Sequence, residues 1–212
     1  MGGIGMNQSR EGLLLVVSGP AGVGKGTIDG ILLERHSNIK LSVSATTRKP
    51  RPGEIDGVHY FFIDEDRFKS MIEENAFLEY MHVFNMHYYG TPRTYVEQEL
   101  KAGHDVLLEI DVQGAMRVKK AYPDAVLVFI APPSMSALKE RLIGRNTETP
   151  EQIEKRFATA YDEVRMMDRY DYIVVNDVLD IAVSRMEHII QAEKCRATRN
   201  QALIKEFAGG KE

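Results

Sequence analysis

Apolar residues in this chain come as short unbroken runs separated by stretches of helical spacing. Residues 13–17 are five consecutive apolar positions next to glycines, the pattern of a strand buried on both faces. Similar runs at 41–43, 106–110, 125–130 and 172–175 predict further buried strands. Ile28, Ile31 and Leu32 open a helical pattern, and others cover roughly 92–102, 113–121, 135–144 and 150–167. Strand alternating with helix predicts an α/β fold, a mostly parallel sheet with helices on both faces.

Two segments interrupt that rhythm. Residues 44–91 hold nine aromatics in strand-like pieces around one short helical pattern, and predict a small inserted α+β subdomain. Residues 142–156 are polar, with a Gly-Arg-Asn turn between two helical patterns, and predict a lid; the lid region as a whole is set at 132–156. The core is then expected at 12–43, 92–131 and 157–192, between a loose tail at 1–11 and a charged helical tail at 193–212.

Composition narrows the function classes. A length of 212 residues and an apolar share of 43% suit one α/β domain with insertions. The net charge of −4 gives no global positive field for nucleic acid or an anionic membrane, so anionic ligands need local cations and backbone N–H groups. Cys195 is the only cysteine, which excludes an internal disulfide or a cysteine-built metal site. His82 and His87 lack an evident third ligand, so no metal is assigned to them. The apolar run at 13–17 is too short for a signal segment or a span, and Met6 stands where a myristoylation signal needs Ser or Thr. A cytoplasmic protein is expected.

The chemistry begins directly after the first strand. Gly19, Pro20, Ala21, Gly22, Val23, Gly24, Lys25, Gly26 and Thr27 form a glycine-rich loop leading into the first helix. Such a loop turns successive N–H groups and a helix N-terminus toward phosphates, and the lysine reaches the β- and γ-phosphates of a nucleoside triphosphate. The usual ending is Gly-Lys-Ser/Thr; here Gly26 follows the lysine and the hydroxyl comes one place later, at Thr27. A second anion site follows the second strand, where Arg48 and Arg51 sit in a turn stiffened by Pro50, Pro52 and Gly53. Two arginines three apart can clamp a second phosphate bidentately, and Tyr60 and Tyr89 can donate to it.

In these stretches, and in Phe77-Leu-Glu-Tyr80, Tyr88-Tyr-Gly-Thr91, Leu107-Leu-Glu-Ile-Asp-Val-Gln-Gly114, 141–156 and 170–177, the sequence resembles the guanylate kinases over about residues 12–192. The resemblance implies phosphoryl transfer from ATP to GMP with Mg²⁺, in guanine nucleotide synthesis and recycling. It implies that Arg48, Arg51, Tyr60 and Tyr89 hold the GMP phosphate and that Ser44, Glu79 and Thr91 read guanine. Glu109 and Asp111 would stand beside the acceptor and Mg²⁺, the metal being held through Thr27, Asp111 and water. Arg141, Arg145 and Arg156 would close on the triphosphate, and Asn176 and Asp177 would receive adenine. The link at 85–87 is one residue longer than the family pattern, which bears on where Tyr89 sits.

A scaffold module of the same fold is expected to lack the loop lysine or the lid arginines. A sugar-phosphate kinase would have no use for Glu79, and a simple NTP hydrolase none for Arg48 and Arg51.

Overall fold

The computed structural model describes residues 11–83, 86–144 and 149–209. Residues 1–10 of the expected tail, Arg145 and residues 146–148 of the polar turn lie outside them, as do Phe84 and Asn85. Among the described residues no helix is long and apolar enough to cross a membrane.

Five strands form one fully parallel sheet: β1 (Leu14–Ser18), β2 (Ile39–Leu41), β7 (Asp105–Glu109), β8 (Val126–Ala131) and β9 (Tyr172–Val175), in the order β2-β7-β1-β8-β9. Alternate residues feed two cores. Leu15, Val17, Leu107, Val128 and Ile130 pack on one face with Ile28 and Leu32 of α1 (Lys25–Arg35) and Met186 and Ile190 of α7 (Leu179–Lys194). Leu14, Val16, Val106, Leu108, Leu127 and Phe129 pack on the other, against Val96 and Leu100 of α3 (Arg93–Lys101) and Ala115 and Val118 of α4 (Val112–Ala121). Burial on both faces is why these strands read as continuous apolar runs.

A second sheet sits at the carboxyl ends of the first. It contains β3 (Ala45–Thr46), β4 (Phe61–Phe62), β5 (Phe77–Val83) and β6 (His87–Pro92), in the order β4-β3-β6-β5, with only the β3–β4 pair parallel. Helix α2 (Glu65–Glu73), capped by Asp64, lays Phe68 on Phe77 and Tyr88 with ring centroids 4.4 and 5.2 Å apart. The ladder between β5 and β6 shifts at Leu78, a β-bulge. The bulge re-aims three consecutive buried residues: Phe77 joins the aromatic cluster, Leu78 enters the main core, and Glu79 faces the cleft between the sheets.

Some boundaries differ from the pattern reading. Strand β2 is at Ile39–Leu41 rather than 41–43, because its ladder with β7 starts opposite Asp105 and the chain leaves the sheet after Ser42. Helix α6 (Pro150–Val164), started by a Thr149–Gln152 capping box, stops short of 167, and Met167–Arg169 make a 3₁₀ turn. The segment at 132–156 is divided: α5 (Met135–Gly144) buries Leu138 and Leu142 in the core, while the first turns of α6 are largely exposed. At the carboxyl end α7 runs on to Lys194 with Glu193 buried, before a 3₁₀ turn and the exposed helix α8 (Gln201–Gly209).

Candidate active site

The loop after β1 occupies the carboxyl edge of the parallel sheet, the usual place for ligands in open α/β folds. Gly24 begins α1 with φ +98°, and a Cβ there would stand 2.6 Å from Nδ2 of Asn176, so only glycine fits. That Nδ2 donates to the Val23 carbonyl at 2.8 Å, and Arg141 Nη2 donates to the Asn176 carbonyl at 3.0 Å. Asn176 and Arg141 thus brace the loop from the end of β9, and Asp177 beside them is exposed. Lys25 Nζ donates to the Gly19 carbonyl at 2.7 Å, so its ammonium lies over the loop. Gly26 and Thr27 are both exposed at the start of α1.

Facing the loop is an open cleft of about 330 Å³, a size suited to a small ligand, lined by Ser44, Tyr60, Glu79, Tyr89, Glu109 and Asp111 among others. Glu79 is 8% exposed, and its Oε1 accepts from the Thr91 hydroxyl at 2.9 Å across the β5–β6 ladder. Burial raises its pKa above the ordinary carboxylate range; the Thr91 hydrogen bond opposes this and the Asp111 charge adds to it. Asp111 caps α4, Oδ1 accepting from Gly114 N at 2.7 Å. The longer link leaves the hairpin in register: Val83 pairs with His87, Met81 with Tyr89 and Glu79 with Thr91. His82 stacks on Tyr88 with ring centroids 4.0 Å apart.

The arginine turn is held by an acid that the sequence reading passed over. Glu54 takes Arg48 Nη1 and Nη2 at 2.9 and 2.8 Å and the Arg51 backbone N–H at 2.6 Å. The Arg48 hydrogen bond, then the Arg51 N–H, lower its pKa to about 2. Arg48 Nε donates to the Tyr89 hydroxyl at 3.2 Å, and its guanidinium stands 5.5 Å from the centre of the Tyr60 ring. In this structure, then, Arg48 is a brace for Tyr60 and Tyr89, while Arg51 is exposed beside it. A glutamate three residues after Arg51, inside a Pro-Gly turn, was the available signal.

Two further carboxyls near the loop were not singled out in the sequence. Asp29, four residues past Lys25, is 3% exposed; burial first, then the Glu109 charge, raise its pKa to about 8. Glu163 of α6 is half-buried, and burial raises it to about 7, Lys25 opposing. A residue seven places before it, on the same face of α6, is Arg156, which is exposed.

The donor set also fits a hydrated hard cation. Glu109 Oε2 lies 3.5 Å from where a Cβ on Gly26 would be, and among the described residues no three His, Cys, Asp or Glu side chains converge on a metal by themselves, so the cation is one carried in with the nucleotide and held partly through water.

A phosphate loop on a parallel sheet, faced by a separate cleft on an inserted sheet, is the architecture of a P-loop nucleotide kinase. The sequence matches the guanylate kinase family over residues 11–193. It is 52% identical over 198 residues to the guanylate kinase of Caldanaerobacter subterraneus subsp. tengcongensis, covering 93% of this chain and 96% of that protein. Against the guanylate kinase of Clostridioides difficile it is 50% identical over 195 residues, 92% of this chain and 95% of that one. The crystal structure of guanylate kinase from Anaplasma phagocytophilum matches with a TM-score of 0.75 at 31% identity, covering 96% of this chain and 99% of that one. The chain belongs to the guanylate kinase family.

Proposed function

We propose that this protein transfers the γ-phosphoryl group of ATP to GMP, reversibly, giving ADP and GDP in the cytoplasm. The observation that carries the acceptor is Glu79: a buried carboxylate with one oxygen fixed by Thr91 and the cleft in front of it. Guanine presents N1–H and its 2-amino group side by side, and a carboxylate accepts both; adenine offers N1 as an acceptor and no 2-amino group. Ser44 and Asp111 complete the wall, and Thr91 orients Glu79.

The acceptor phosphate is largely dianionic at pH 7, so no general base is needed. A phosphate oxygen of GMP attacks the γ-phosphorus in line, and the bond to the departing ADP oxygen breaks. Arg51 and the hydroxyls of Tyr60 and Tyr89 hold the attacking phosphate, with Arg48 keeping both rings in place and adding its charge. The loop N–H groups cradle the donor phosphates and Lys25 follows the charge that develops. Glu109, Asp111 and Thr27, partly through water, would hold the Mg²⁺ that accompanies ATP, and the cation would supply neutralisation of the triphosphate charge. Arg156 on α6 and Arg145 approach the transferring group as the lid closes and water is excluded. Asn176 and Arg141 keep the loop in shape, and Asp177 lies toward the adenine.

The test is kcat/KM for GMP, IMP, AMP, UMP and CMP with ATP and Mg²⁺, read by ADP formation, for the native protein and Glu79→Gln. Native protein should use GMP well, IMP weakly and AMP at least ~10⁴-fold less well. Glu79→Gln should weaken GMP and narrow the gap to AMP. ADP formation with AMP as fast as with GMP would end the reading.

A further inference from the structure

Gly114 occupies a position where a helix gains from a larger residue. It is the third residue of α4 after the Asp111 cap, it is buried, and it is not one of the glycines with positive φ. Glycine is a poorer helix former than alanine, so its presence there without a conformational need calls for a steric reason.

The reason is Glu79. A Cβ on Gly114 would stand 3.3 Å from Glu79 Oε2, and 3.4 and 3.5 Å from Cδ1 and Cβ of Ile110. The first distance is tighter than an ordinary contact, so the carboxylate would have to give way. It has little room to do so. The Thr91 hydroxyl holds Oε1 at 2.9 Å from the next strand, and the bulge that sends Leu78 into the main core fixes the backbone one residue earlier. What remains open is the cleft in front, which Glu79 and Gly114 line together. A side chain at 114 would push the carboxylate into the space the base needs. This side of α4 as a whole faces Glu79: Asp111 and Arg117, three residues before and after Gly114, act on it with opposite charges.

We infer that Gly114 is a positioning residue for guanine recognition: the space left by its missing side chain seats the Glu79 carboxylate, and a methyl group there is enough to turn it away from the base. The inference rests on Glu79 reading the base, and goes beyond it by assigning the wall that sets its position.

The experiment is steady-state ADP formation with Mg²⁺, varying ATP, GMP or IMP in turn, for native protein, Gly114→Ala, Glu79→Ala and the double variant. Gly114→Ala should raise KM for GMP by about tenfold, as overpacking by one methyl group can, while kcat and KM for ATP stay within about twofold. Its preference for GMP over IMP, which lacks the 2-amino group, should shrink by about threefold. In the Glu79→Ala background the same substitution should change KM for GMP by less than about twofold, because the oxygen it would strike is gone. A KM for GMP in Gly114→Ala within about twofold of native, an unchanged preference for GMP, or an equal loss in both backgrounds would overturn the inference. If Gly114→Ala does not fold and the double variant does, the Glu79 contact is the obstacle and the inference stands. If neither folds, the glycine serves the backbone and the inference falls. Native protein and Glu79→Ala with the same preference for GMP over IMP would overturn instead the reading of Glu79 itself.

Discussion

The ammonium of Lys25 lies over the carbonyls of its own loop, 2.7 Å from that of Gly19 and 3.4 Å from that of Pro20. Those contacts mark the lysine's reach: a phosphate seated in the loop would meet the same ammonium. In the proposed mechanism the lysine serves the phosphate in flight more than the one at rest, so Lys25→Met should lower kcat by roughly 10³, about 4 kcal/mol. GMP affinity, measured by calorimetry, should hold, since Glu79, Thr91 and the arginine turn belong to another sheet. Turnover unchanged from native would remove Lys25 from the mechanism. The residues the sequence announced, such as Gly24 and Lys25, belong to a contiguous motif whose spacing carries its own geometry. Asp29, Glu54 and Glu163 gained meaning only through neighbours distant in the chain or turned toward them by a fold: Glu109 for the first, Arg48 across a turn for the second, Lys25 for the third.

At the scale of elements, α6 shows how one helix face can hold opposed requirements. Arg156 and Glu163 are two turns apart on one side, the first exposed and the second half-buried near the loop lysine and Asp111. The Glu163 pKa rises from its ordinary 4.5 to about 7, so the folded protein holds that proton more tightly than the unfolded chain does. The resulting stability is fully present below about pH 4.5 and is lost as pH rises through 7. Glu163→Gln, which cannot ionise, should therefore be more stable than the native protein at pH 8 and match it near pH 4.5. After allowing for solvent screening of a half-buried group, the gain is about 1 kcal/mol, or about 2–4 °C in Tm. Melts of both proteins without nucleotide, at pH 4.5 and 8, provide the measurement; a gain that is equal at both values would reject the electrostatic account. The helical patterns located α6 correctly at its start, where Thr149 and Pro150 signal an N-terminus in local chemistry. Its end was misjudged because Met166 and Met167 keep an apolar rhythm while serving the core beneath a 3₁₀ turn.

For the whole molecule, the parallel sheet was legible because strands buried on both faces leave unbroken apolar runs, and the inserted sheet because aromatics replace them. The strand order and the bulge at Leu78 were not, since pairing partners such as Leu15 and Val126 lie more than a hundred residues apart and Phe77-Leu-Glu-Tyr80 reads alike with or without an extra residue in the ladder. That bulge has a thermodynamic consequence. The residue it displaces is buried in the main core, while the next one, Glu79, faces the cleft and is the proposed reader of the acceptor, so the small sheet is pinned to the large one beside the proposed specificity residue. The two sheets should accordingly melt as one cooperative unit, with loss of GMP binding and loss of far-ultraviolet dichroism giving coincident transitions. Leu78→Ala should cost about 2–4 kcal/mol and uncouple them: the acceptor sheet would come apart at a lower temperature than the nucleotide-binding core, and ADP binding would outlast GMP binding on heating. Coincident transitions in that variant would mean that the pin lies elsewhere. A selective kinase of this build is, in this respect, only as discriminating as its least secure hydrophobic joint.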